Sequence, residues 1–144
     1  VSGSFLGTPA YMAPEQIAAG RIKVDHRADI YSLGAVLYEM LTMQRPFAGQ
    51  SREQVLAAVM TKDPRPTRRF NPKVPRDLET ICLKALEKDV DRRYASASDL
   101  AADVRRHLDD EPIVARHATT IYQLRKFAHR NRVLVGGAAA ASGY

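Results

Sequence analysis

The side chains most able to do chemistry are few and far apart in this chain of 144 residues. The four histidines are His26, His107, His117 and His129, and the single cysteine is Cys82. They form no cluster with the spacing of metal ligands, so we expect no bound metal. A lone cysteine cannot form an intramolecular disulfide and is typical of a reducing compartment.

The most informative stretch is residues 7–16, Gly-Thr-Pro-Ala-Tyr-Met-Ala-Pro-Glu-Gln. Gly7 and Pro9 are typical of a loop, and Pro14 stands where it can open a short helix. Glu15 then lies in the first helical turn, where the helix dipole favours negative charge. The stretch therefore predicts a loop that enters a helix.

A long apolar helix is predicted over residues 29–42. Apolar residues occur on nearly every face of this helix, so we expect it to be buried in the core. It is too short and too interrupted by polar residues to cross a bilayer, which takes about 20 mostly apolar residues. Further helices are predicted after the capping residues Ser51 and Ser96 and over residues 76–88. The chain should be mainly α-helical.

The net charge of +6 is concentrated near the C-terminal end of the chain. Residues 1–112 contain 17 Lys or Arg against 16 Asp or Glu, whereas residues 113–144 contain five basic residues and no acidic one. The predicted globular part has no basic patch with interleaved aromatic residues, so we do not expect nucleic-acid binding.

Several short motifs follow residues 7–16 in a recognisable order: Asp-Ile-Tyr-Ser-Leu-Gly at 29–34, Leu-Tyr-Glu-Met-Leu-Thr at 37–42, Arg-Pro-Phe at 45–47 and Asp-Arg-Arg-Tyr at 91–94. Together with the Ala-Pro-Glu triplet at 13–15, they resemble the C-terminal half of a protein kinase. The resemblance covers about residues 1–110. The chain is most similar to bacterial, eukaryotic-like serine/threonine kinases. This implies the helical C-lobe of the protein kinase fold, without the N-lobe and the catalytic loop.

The resemblance implies roles for single residues of this chain. Thr8 and Pro9 match the substrate pocket, where the threonine hydroxyl organises the catalytic groups without performing the reaction. The alternative for Thr8 is a residue that merely suits a turn. Asp29 matches a buried acid that accepts backbone N–H bonds from the catalytic loop. Otherwise, Asp29 is an acid in a first helical turn, worth about 0.3–1 kcal/mol.

Glu15 matches a glutamate that forms a structural pair with an arginine before the last helix, and Arg93 stands at the arginine's place. A buried bidentate pair of this kind would hold the activation segment on the lobe. Val90 stands where the family often has proline, so the neighbouring Arg92 is the alternative partner.

Ser2 and Ser4 lie in the span where family members carry activating phosphosites. A phosphate there would add about −1.5 to −2 charge that an arginine can pair. The alternative is that both are ordinary serines of a flexible loop.

The groups that perform phosphoryl transfer in the family have no counterpart in this chain. It contains no Gly-rich phosphate loop, no His-Arg-Asp sequence and no Asp-Phe-Gly sequence, all of which are expected before Val1. We therefore expect a parent serine/threonine kinase, an ATP-binding transferase that uses Mg²⁺ and acts on protein substrates. The fragment itself should hold no catalytic residue, ATP or metal, and should be inactive alone. The alternative is a catalytically dead, kinase-like binding or scaffold module.

The rest of the chain is expected to be a basic juxtamembrane linker over residues 111–132 and the start of a transmembrane segment over residues 133–144. Basic residues before an apolar run are typical of the cytoplasmic flank of a span. Only 12 residues follow residue 132, so a span of about 20 would be incomplete. This predicts a cytoplasmic kinase region anchored in the membrane. A disordered basic tail and an amphipathic helix on anionic lipid are the alternatives.

Overall fold

The computed structural model describes residues 9–18, 24–116 and 120–131. Within these ranges the chain is helical and contains no strand, as expected for a mainly α fold. The α-helices are α1 (Pro14–Ile17), α2 (Arg27–Thr42), α3 (Arg52–Thr61), α4 (Arg76–Ala85), α5 (Ala97–Leu108) and α6 (Thr120–Arg130). Short 3-10 turns lie at Pro9–Tyr11, Thr67–Arg69 and Val90–Arg92.

The two predicted capping serines begin their helices as expected. The Ser51 hydroxyl accepts a hydrogen bond from the Gln54 N–H at 3.2 Å, and the Ser96 hydroxyl accepts one from the Asp99 N–H at 3.1 Å. Helix α4 ends at Ala85, three residues before the predicted end. After the helix, the carbonyls of Glu87 and Lys88 accept hydrogen bonds from Arg93.

Helix α2 lies at the centre of the core, but it is buried on one side only. Its buried face, which packs against α4, carries Ala28, Ile30, Tyr31, Gly34, Ala35 and Tyr38. The prediction that the helix is buried all round is wrong for Leu33, Val36 and Met40, which are 47%, 46% and 73% exposed. Their spacing places them on one face of the helix, and no other described part of the chain covers that face.

Helices α2 and α4 approach each other most closely at Gly34. A Cβ atom at this position would lie 2.7 Å from the Cβ of Ala85 and 3.3 Å from the Cγ of Leu86. The absence of a side chain therefore sets the distance between the two helices.

Gly34→Ala is expected to destabilise the chain even though alanine is the better helix former. The intrinsic gain of alanine over glycine in a helix is about 1 kcal/mol. The added methyl group meets Ala85 at the helix surface, so α2 and α4 must separate, at a cost of about 1–3 kcal/mol. Urea unfolding should show a net loss of about 1 kcal/mol.

A second substitution on the facing helix tests the cause of that loss. Ala85→Gly removes the methyl group that Gly34→Ala would meet. The double variant should therefore be more stable than the sum of the two single effects predicts. A Gly34→Ala chain that is as stable as the parent would contradict the contact.

The chain turns back on the lobe after α5, and a buried aspartate holds this turn. Asp110 adopts a left-handed conformation with φ 57° just after the helix. The carboxylate of Asp103, which is fully buried, then accepts hydrogen bonds from the N–H groups of Val114 at 2.7 Å and Ala115 at 2.9 Å. Ile113 joins the core between α4 and α5. No helix within the described ranges is long and apolar enough to cross a bilayer.

Candidate functional site

A buried ion pair joins the beginning of the described chain to a segment far along it. Glu15 and Arg93 are 2% and 3% exposed. Arg93 Nη1 lies 2.5 Å from Glu15 Oε2, and Nη2 lies 2.6 Å from Oε1, so the contact is bidentate. The alternative partner, Arg92, is exposed.

Arg93 also binds three backbone carbonyls. Its Nε donates to Glu87 O at 2.6 Å, Nη1 to Arg27 O at 3.0 Å and Nη2 to Lys88 O at 3.4 Å. With the two bonds to Glu15, these contacts account for all five N–H donors of a guanidinium group. The buried charge is therefore compensated on every side, which is the condition for a buried ion pair to be tolerated.

An aromatic ring and a second set of ion pairs lie close to the Glu15–Arg93 pair. The guanidinium carbon of Arg93 lies 5.1 Å from the centre of the Tyr31 ring, a cation–π distance. Arg27 lies 2.9 Å from Asp25 and 3.0 Å from Asp91. The hydrogen bonds from Arg27 lower the pKa of Asp25 to about 2.

The loop that precedes α1 is attached to α2 by side chains. The Ser32 hydroxyl donates to the Tyr11 carbonyl at 2.7 Å. The Tyr11 hydroxyl donates to the Glu39 carboxylate, which raises the pKa of Tyr11. Arg45 lies over the Tyr11 ring at 5.9 Å. The Tyr11 backbone and the Tyr11 side chain both bind α2, and these two contacts hold the loop over Pro9–Tyr11 on that helix.

An open cavity of about 410 Å³ lies beside this loop. Pro9 and Ala10 form one wall, and Arg45, Arg52 and Val55 contribute to the others. No carboxylate is among the residues that line it. The charged residues that line this cavity, next to a fixed loop, are therefore both arginines.

The structure brings together some of the residues that the sequence singles out. Glu15 contacts Arg93, and Pro9 lies at the cavity just described. Asp29 lies in the first turn of α2 and is exposed, without a side-chain hydrogen bond to another described residue. Thr8, Ser2 and Ser4 lie outside the described residues.

Sequence reasoning missed two residues that support the loop and the pair. Ser32 lies within a motif that was recognised, but nothing in the sequence identifies its hydroxyl as the anchor of Tyr11. Tyr31 is fully buried under Arg93, and burial raises its pKa. From the sequence, a tyrosine near the start of a buried helix is expected only to be a core residue.

Two observations describe the groups of the described residues that could react or bind a metal ion. Burial raises the pKa of the Cys82 thiol to about 12, so this group stays protonated and unreactive. No group of three His, Cys, Asp or Glu residues within the described ranges could hold a metal ion.

Comparison with known proteins identifies the family. Residues 2–107 match the model of the protein kinase domain. The chain belongs to the protein kinase family, and helices α1 to α5 belong to the C-lobe of that fold. This confirms the resemblance drawn from the motifs.

The curated relatives are bacterial proteins named as serine/threonine kinases. One named as a probable kinase in Streptomyces coelicolor is 39% identical over 81% of this chain and 17% of its own length. PknB of Mycolicibacterium smegmatis is 43% identical over 73% of the chain and 16% of its length. PrkC of Bacillus subtilis is 36% identical over 82% of the chain and 18% of its length. The chain thus spans less than a fifth of these relatives.

Proposed function

We propose that this chain is the substrate-side platform of a serine/threonine protein kinase that transfers the γ-phosphate of ATP to protein substrates. The observation that carries the proposal is the match of residues 2–107 to the protein kinase domain, with relatives named as serine/threonine kinases. ATP and Mg²⁺ would be held by parts of the domain that have no counterpart in these residues.

The chain's own residues would position the acceptor protein. The Glu15–Arg93 pair fixes the end of the activation segment on the lobe, and the bonds to Ser32 and Glu39 fix Tyr11. A fixed loop is needed because phosphoryl transfer depends chiefly on positioning and charge neutralisation. Thr8 and Pro9 would then border the acceptor hydroxyl, and Pro9 also lines the cavity with Arg45 and Arg52.

The exposed face of α2 is consistent with packing against a further part of a kinase domain. Leu33, Val36 and Met40 form an apolar stripe on the helix that otherwise lies at the centre of the core. Asp29, in the first turn of α2, is exposed on the same face of the helix. We propose that the catalytic loop of the parent protein packs here, so that its backbone N–H groups reach the Asp29 carboxylate.

We propose two further features of the parent protein. Ser2 and Ser4 would be activating phosphosites. Residues 133–144 would be the start of a membrane anchor that leaves the kinase region in the cytoplasm. The first proposal rests on the position of both serines before the Gly-Thr-Pro sequence. The second rests on the basic residues that precede the uncharged stretch.

Incubating the full-length parent with γ-labelled ATP, Mg²⁺ and peptides containing Ser, Thr or Tyr tests the function. We expect label on serine and threonine, none on tyrosine, and no transfer by the 144-residue chain alone. Mass spectrometry of the active sample should find phosphate on Ser2 or Ser4. A parent that binds ATP without transferring phosphate would instead be a binding module, and transfer to tyrosine alone would also refute the proposal.

A further inference from the structure

Helix α6 is attached to the lobe through one face. Tyr122 is 3% exposed, and its hydroxyl donates to Asp77 Oδ2 at 3.0 Å and accepts the Ile113 N–H at 2.8 Å. Lys126 Nζ lies 2.5 Å from the same Asp77 oxygen. Tyr122 and Lys126 are four residues apart and so share a helix face. One buried carboxylate therefore fixes the rotation of α6 about its axis.

The opposite face of α6 is apolar and exposed. Ile121, Leu124 and Phe127 are 65%, 60% and 52% exposed. At about 100° per residue they occupy an arc of about 120°, whose centre lies about 180° from the midpoint between Tyr122 and Lys126. The outer face is thus held away from the lobe, and no other described part of the chain covers it.

Positive charge borders this apolar arc at Arg125. Arg125 is exposed and lies about 40° from Ile121 on the helix surface, whereas Arg130, also exposed, lies toward the inner side. The nearby Asp110 lies on the inner side, where its carbonyl is 3.4 Å from Arg130 Nη1 and its carboxylate is 3.7 Å from His129. Residues 113–144 contain five Lys or Arg and no acid.

An apolar stripe with a neighbouring cation, in a stretch whose only charges are positive, is suited to the surface of an anionic bilayer. There the side chains enter the boundary between head groups and acyl chains while the cations meet the lipid phosphates. We propose that the outer face of α6 lies in the plane of an anionic lipid surface. Because Asp77 fixes α6 on α4, this contact would also set the orientation of the whole lobe toward the membrane. The inference goes beyond the kinase function and does not depend on it.

Sedimentation of the 144-residue chain with lipid vesicles tests the proposal. Vesicles of phosphatidylcholine with one-third phosphatidylglycerol should bind the chain, and pure phosphatidylcholine should bind it weakly. Leu124→Glu replaces an apolar side chain that would enter the lipid with a charged one, so it should weaken vesicle binding about tenfold or more. Arg125→Gln should weaken binding to the anionic vesicles only. The control Met60→Glu, at an exposed position of α3, should bind like the parent.

Two outcomes would overturn the proposal. If Leu134→Glu abolishes binding while Leu124→Glu and Arg125→Gln do not change it, the anchor lies after α6 and its outer face has no part. If the chain is a dimer that Leu124→Glu converts to a monomer without changing vesicle binding, the stripe is a self-association surface. Circular dichroism of each variant must show parental helicity; if Leu124→Glu does not fold, Ile121→Glu takes its place.

Discussion

Replacing Arg93 with alanine should lower the free energy of unfolding by about 3–5 kcal/mol, because it leaves the Glu15 carboxylate buried without a partner. The loss is large against a total stability of about 5–15 kcal/mol for a domain. Three backbone carbonyls lose their donor in the same step. Chemical unfolding followed by circular dichroism measures the effect.

Two control variants separate the ion pair from general effects. Arg93→Lys should recover only part of the loss, because an ammonium group lacks the bidentate fork. Arg92→Ala changes an exposed neighbour and should cost less than about 0.5 kcal/mol. If Arg93→Ala and Arg92→Ala unfold at the same denaturant concentration, the pair does not hold the segment.

Replacing Asp103 with alanine should cost about 3 kcal/mol or more. The carboxylate accepts bonds from the Tyr94 hydroxyl at 2.7 Å and from the N–H groups of Val114 and Ala115. Each buried donor left without an acceptor costs about 1–3 kcal/mol. The exposed Asp109 provides the control, and Asp109→Ala should change stability little. Equal unfolding midpoints for the two variants would contradict this role.

The same aspartate should make stability fall in acid. Burial by itself would raise the pKa of Asp103, but the bonds from Val114, Tyr94, Ala115 and Arg106 outweigh burial and lower it. Since the folded pKa lies below the ordinary value of about 3.9, the stabilisation is complete above that pH and is lost as the pH falls through the folded pKa. Asp103→Asn should therefore lose less stability between about pH 6 and about pH 3 than the parent loses. Parallel losses in urea unfolding would argue against the assignment.

The sequence predicted helices α1 to α5 and the ion pair because both leave a local or family signal, whereas α6 lies within the stretch expected to be a linker. Ser51 and Ser96 are helix caps by residue type alone, and Pro14 marks the start of α1. The pairing of Glu15 with Arg93 came from the motif order and not from any local rule. The bidentate contact in the structure then excludes the alternative partner Arg92, which is exposed.

The burial of α2 was predicted wrongly because composition does not say how much of a helix its neighbours cover. Leu33, Val36 and Met40 are as apolar as the buried face. Asp103 could have been noticed, since it interrupts the apolar face that Leu100 and Val104 define on α5. Asp77 could not, because its partners Tyr122 and Lys126 lie more than forty residues away.

The distance along the chain between Glu15 and Arg93 has a consequence for biosynthesis. The two residues are 78 positions apart. At about 5–20 residues per second, a ribosome needs about 4–16 s to add the intervening chain. Throughout that interval the nascent chain carries Glu15 without its partner, so the loop over Pro9–Tyr11 lacks that support. The Glu15–Arg93 pair therefore cannot close the lobe around this loop before Arg93 has been added to the chain.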